Sequence, residues 1–171
     1  RIMRLNHPSR RGFVLLEALF ALALLGAGLL SLLQMMQLGM HTQRQQLARE
    51  AAMGLAYDLS QRMQVNATQL GTSAVSPYAQ SWGQTASALS FDCQQTACTS
   101  SQLAQWDVQR WRARLAAELP QGDASVFATD QGWWGIVLAW HDARETLRTD
   151  TTRGTPPCPT QHSCWRLWVH P

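Results

Sequence analysis

Glu17 sits inside an apolar run that extends from Phe13 to Leu33 and holds no other charged residue. An ionisable side chain at the centre of a membrane helix costs roughly 2.5–3.5 kcal/mol on insertion scales, so such residues usually face a partner. Glu17 therefore needs a partner to account for it. Other candidate groups are weaker. His141-Asp142 is an acid–base pair at the end of a strand pattern with no placed nucleophile, and Ser163 stands beside Cys164 in a loop. No glycine-rich phosphate loop is present. These residues predict a protein that is not an enzyme and uses no cofactor.

Cysteines form the second chemical set, in two short intervals, Cys93 to Cys98 and Cys158 to Cys164. An oxidising compartment favours disulfides, and four cysteines permit three pairings. The local pairing, Cys93–Cys98 with Cys158–Cys164, is the expected one, and the other two stay open. His162 between Cys158 and Cys164 raises a zinc alternative, yet neither interval has the two-to-four-residue gap usual for a zinc site. No metal site is expected.

Several elements must position these groups. Phe13 to Leu33 is long enough to cross a bilayer core as a helix. No proline occurs between Pro8 and Pro77, so the helix is free to continue to about Asn66. Beyond Gln34 it turns amphipathic, with Met36, Met40, Leu47, Ala51, Leu55, Leu59 and Met63 as the expected apolar stripe. Gly71 to Gln84 reads as a loop, and Ala88 to Cys93 as a short strand. Thr99-Ser100-Ser101-Gln102 has the form of a capping box. A helix follows to Leu119 with Ala104, Val108, Trp111, Leu115 and Leu119 buried, ended by Pro120-Gln121-Gly122. Strands are expected over Ala124–Thr129, Trp133–His141 and Cys164–His170, the second alternating cleanly. A Pro-rich loop from Arg153 to Ser163 separates the last two. The fold class is α+β: a long N-terminal helix packed on a small antiparallel sheet with one extra helix. Of eight tryptophans, Trp82, Trp133 and Trp168 are expected to be partly exposed.

Charge fixes orientation more than partner. All fourteen basic residues are Arg, and the chain carries a formal net charge of +3. Arg1, Arg4, Arg10 and Arg11 precede Gly12; without residues 1–12, ten Arg face eleven acids and the balance is about −1. Four basic residues before the apolar run keep the front end cytoplasmic and send the rest across the membrane. Arg110, Arg112 and Arg114 do not converge on one face and read as a solvated surface. No nucleic-acid partner is expected.

The segment Arg10-Arg11-Gly12-Phe13-Val14-Leu15-Leu16-Glu17 resembles the class III signal of type IV pilins and their relatives. An ordinary secretory signal has a shorter apolar region, rarely holds an acid, and needs a small-x-small cleavage site, which Ala27-Gly28-Leu29 supplies poorly. A plain membrane anchor leaves Glu17 unexplained. The resemblance implies a leader, residues 1–12, cut after Gly12 by a prepilin peptidase, N-methylation of Phe13, and pairing of Glu17 with such an N-terminus to set assembly register. Further along, Ala51 to Asn66, with Asp58, Arg62-Met63 and Asn66, is similar to a stretch of the PilV minor pilins. So are Cys93–Cys98 ahead of a helix, Trp106-Asp107 through Gly122, and the strand ending at Trp140. This resemblance implies a minor pilin: residues 13–33 a transmembrane and assembly helix, 34–66 its amphipathic continuation, 67–171 a periplasmic head. It implies the inner membrane as store, and other minor pilins, the major pilin and a tip adhesin as partners. A type II secretion pseudopilin is the alternative, followed by a DNA-uptake pilus subunit.

Overall fold

The computed structural model describes residues 11–71, 76–143 and 155–170, with side chains from Val14 onward. Residues 1–10, most of the expected leader, lie outside the described residues, as do Arg153 and Gly154 of the expected Pro-rich loop. Helix α1 spans Arg11–Val65, in accord with the proline-free run. A 3-10 turn over Ala67–Gln69 follows, then α2 over Ser100–Glu118, β1 over Asp123–Ala128, β2 over Trp134–His141 and β3 over His162–Val169. The strands form one antiparallel sheet in the order β1-β2-β3. The fold is thus α+β: a long N-terminal helix, a second helix and a three-stranded sheet.

The chain divides into two compact units at Arg44/Gln45. In the first, the described side chains from Val14 to Met40 are exposed, apart from a half-buried position at Gly26. The helix there is long and apolar enough to cross a membrane by length and composition.

The second unit carries the core. Its α1 portion contributes Ala48, Ala52, Leu55, Ala56, Leu59 and Met63, and α2 contributes Ala104, Val108, Trp111 and Leu115. Ala124 and Val126 of β1, Trp134, Ile136, Leu138 and Trp140 of β2, and Val169 of β3 complete it with Leu70, Tyr78 and Leu119. The α1 stripe differs from the expected one. Leu47 is 65% exposed, and Met36 and Met40 face outward. At about 100° per residue, Ala48 falls roughly 20° from the direction of Leu55, whereas Leu47 falls roughly 80° away. The small alanines take the seam and the larger Leu47 is left outside it.

The α2 boundaries follow from their chemistry. The Thr99 hydroxyl accepts from the Gln102 N–H at 3.3 Å, and the Gln102 side-chain oxygen accepts from the Thr99 N–H at 2.9 Å. This reciprocal box satisfies open donors of the first turn. At the other end Gln121 takes φ 49°, and Gly122 folds so tightly that a Cβ there would lie 2.7 Å from the Leu115 carbonyl. Ala88 to Cys93 does not form the expected strand: it is irregular, ending in a turn. The residue that lines up beside β1 is Gln80, whose N–H and C=O exchange hydrogen bonds with Val126 at 2.8 and 2.9 Å. A side chain of α2 holds that loop in place.

Alternation along β2 sends Trp134, Ile136, Leu138 and Trp140 into the core, but Gly135, Val137 and Ala139 are buried as well. Across the outer face Phe127, Gly135 and Trp168 share one row. The Phe127 ring lies over Gly135, close enough that a Cβ there would meet it at 2.5 Å, and meets Trp168 edge-on at 5.8 Å. Trp133 and Trp168 are exposed and Trp82 is half-buried, so all three are partly exposed as expected.

Candidate assembly site

The first unit supplies the carboxylate singled out above. Glu17 is exposed on α1, and its apolar neighbours Val14, Leu16 and Phe20 are between 54% and 63% exposed. Gly12 and Phe13 fall in the first turn of α1, and their side chains lie outside the described residues. Phe13 precedes Glu17 by four residues, about one turn of α1. What the arrangement offers is an apolar cylinder with one acid near its start, which a neighbouring cation and neighbouring apolar helices would complement.

In the second unit the Asp58–Arg62–Asn66 segment builds something the sequence did not announce. The Arg62 Nε donates to Asp58, one helical turn earlier, at 3.2 Å, and its Nη1 donates to Asp107 of α2 at 2.7 Å. Asp107, 6% exposed, also accepts from the hydroxyl of the fully buried Tyr78 at 3.2 Å. Asn66 donates to the Ser100 carbonyl at 2.8 Å and to the Tyr78 oxygen at 3.4 Å. The end of α1, the start of α2 and the Pro77 loop are thus clamped by one polar cluster. Burial, with the charge of Asp107 adding to it, pushes the Tyr78 phenol up to about 12. Trp111 ties the helices again, donating to the Leu55 carbonyl at 2.8 Å.

Arg112 corrects the reading of the three arginines as a solvated surface. It is 4% exposed. Its guanidinium donates to the Gln80 side chain at 2.8 Å, the Ala124 carbonyl at 3.0 Å, the Ser81 carbonyl at 3.2 Å and the Gln84 carbonyl. Asp123 stands 3.6 Å away. Burial lowers the Arg112 pKa from its usual value, and Asp123 works against that shift. Arg110 and Arg114 do face water: Arg110 lies over the Trp106 ring at 4.9 Å, and Arg114 pairs with Asp58 and Glu118. Alternating direction along α2 was visible in the sequence. The partners of Arg112 lie 11 to 32 positions away, and no local pattern points to them.

Cys93 is bonded to Cys98, and Cys158 to Cys164. The zinc alternative on Cys158 and Cys164 therefore has no thiolates to use. The Ser163 hydroxyl donates to Asp142 at 3.0 Å, while His162 Nδ1 faces the Thr160 carbonyl at 2.7 Å, so serine and histidine are engaged separately. Among the described residues no group of three or more His, Cys, Asp or Glu is placed to hold a metal ion.

No curated protein and no solved structure matches the chain. Residues 33–109 match the family model described as Tt1218-like, Type IV pilin Tt1218. That span contains the whole polar clamp, from Asp58 to Asp107, and the Cys93–Cys98 disulfide. Over that span the chain is similar to type IV pilins.

Proposed function

We propose that this protein is a minor type IV pilin that helps prime pilus assembly within a tip complex, alongside other minor pilins, the major pilin and a tip adhesin. The observation that carries the reading is the exposed Glu17 carboxylate in an otherwise uncharged apolar stretch of α1, joined to a segment similar to type IV pilins. Prepilin peptidase cuts after Gly12 and methylates Phe13. The ammonium of one N-terminus and Glu17 of a neighbouring subunit then neutralise each other, which sets axial register and removes the penalty of an unpaired buried charge. Before assembly the helix stores the subunit in the inner membrane with the head periplasmic. The protein acts as a substrate of processing and a structural component, without catalysis of its own.

The test is an in-frame deletion complemented in trans, with surface pili and secreted proteins quantified on the same cultures. Reduced pili with normal secretion is the expected result. Normal pili with blocked secretion would overturn the reading and assign the protein to the type II secretion pseudopilins. DNA uptake measured on the same strains separates the remaining alternative.

A further inference from the structure

At the end of the sheet bounded by the second disulfide, His141 and His162 are direct partners across β2 and β3. Side chains of directly opposed residues in an antiparallel pair project from the same face, so the two imidazoles stand side by side. Their ring centroids are 5.9 Å apart at an interplanar angle of 79°. Two imidazole nitrogens bound to one tetrahedral ion at about 2.0–2.1 Å would bring the ring centres to roughly 5 Å. The rings need to close by about 1 Å, within reach of small side-chain rotations.

A second observation concerns which nitrogen is available. His162 Nδ1 lies 2.7 Å from the Thr160 carbonyl. A carbonyl only accepts, so in the neutral ring Nδ1 carries the proton and the lone pair resides on Nε2. Donation of the far ring N–H to a backbone carbonyl is the arrangement that orients metal-binding histidines and raises their basicity. The backbone beneath is held firmly: Cys158–Cys164 closes the turn, Gln161 accepts from the Asp142 N–H at 2.9 Å, and Ser163 donates to Asp142 at 3.0 Å. His141 is half-buried and so is His162, which leaves the remaining coordination positions to water.

We propose that His141 and His162 form a two-imidazole site for a first-row divalent ion of the kind imidazole prefers, Zn²⁺ or Cu²⁺. The site is independent of the assembly role of Glu17, and it does not involve the cysteines, which are bonded to each other.

The test is calorimetric titration of the full chain in detergent micelles with ZnCl₂, followed by CuCl₂ with electron paramagnetic resonance to count coordinating nitrogens. The expected result is one ion per chain with two nitrogen ligands to copper. His141→Asn and His162→Asn should each lower affinity by about tenfold or more, since losing even an outer partner of a ligand costs 10–100-fold. His41→Asn and His170→Asn should leave binding unchanged. Circular dichroism on each variant checks that the fold persists. Absence of saturable binding, or undiminished binding in both His141→Asn and His162→Asn, would overturn the proposal.

Discussion

Replacing Arg112 by methionine keeps most of the buried stem and deletes the guanidinium. Four acceptors lose their donor, and Asp123 loses its cation. These losses are unequal. Ser81 and Gln84 are exposed, so their carbonyls can return to water at little cost. Asp123 keeps 23% of its side-chain surface in solvent and is partly rehydrated. The Ala124 carbonyl is buried and has no such recourse. Breaking one partner out of a buried ion pair costs about 3–5 kcal/mol, and the solvent access of three acceptors puts this case near the low end, about 3 kcal/mol. At a urea slope of about 2 kcal/mol/M, the unfolding midpoint of the full chain in micelles, followed by tryptophan fluorescence, should fall by about 1.5 M. Arg112→Lys keeps the charge but not the planar fork, and should recover about half of the loss. Arg114→Ala removes a half-exposed pair worth about 0.2–1 kcal/mol and serves as the surface control. If Arg112→Met moved the midpoint no further than Arg114→Ala, the guanidinium would not be the anchor of the Gln80 loop.

Glu17→Val should still be processed, with a mature mass lacking the leader, yet co-purify poorly with its assembly partners; normal co-purification would sink the register role. Gly12→Val should block processing, read by mass spectrometry as an uncut chain, and a normal mature mass would refute the assignment of the cut. Gly122→Ala puts a methyl against backbone that cannot rotate away, so thermal unfolding should show a loss of about 1–3 kcal/mol; an unchanged Tm would contradict the close approach. Tyr78 has a folded pKa raised to about 12 from 10, so the proton is held more tightly in the folded state. Stability from this group is complete below pH 10 and is lost as pH rises through 12, amounting to about 2–3 kcal/mol at 1.36 kcal/mol per unit. Urea midpoints measured from pH 9 to 12 should decline in the parent and decline less in Tyr78→Phe.

Much of this architecture is written locally. The capping box at Thr99, the buried face of α2 and the alternation of β2 each depend on residues within a few positions, and the structure places them as expected. The failures share a cause. Leu47 and Ala48 are both apolar, and only the phase fixed by distant core contacts decides which one faces inward. Ala88 to Cys93 has strand-like composition, but the position beside β1 is taken by Gln80. The Asp58–Arg62 pair was legible as a helix spacing, whereas its extension to Asp107 and Tyr78 depends on residues brought together from three separate segments. The candidate site divides in the same way: Glu17 was conspicuous because its neighbours are all apolar, and the clamp was not, because its members are ordinary surface residues until the chain folds.

The uncovered apolar length of α1 has a consequence for traffic. Each large aliphatic or aromatic side chain from Val14 to Leu33 is worth about 1.5–3 kcal/mol on leaving water, and the twelve exposed there together come to about 18–36 kcal/mol. At 1.4 kcal/mol per factor of ten, the fraction of chains dissolved in water at equilibrium is below about one in 10¹². On the proposed pilin reading, a subunit bearing this helix passes from membrane to assembly without an aqueous stage. Any surface that takes it from a bilayer must touch the bilayer directly and receive the helix without a gap, so supply is limited by lateral encounters in two dimensions and not by concentration in the surrounding fluid.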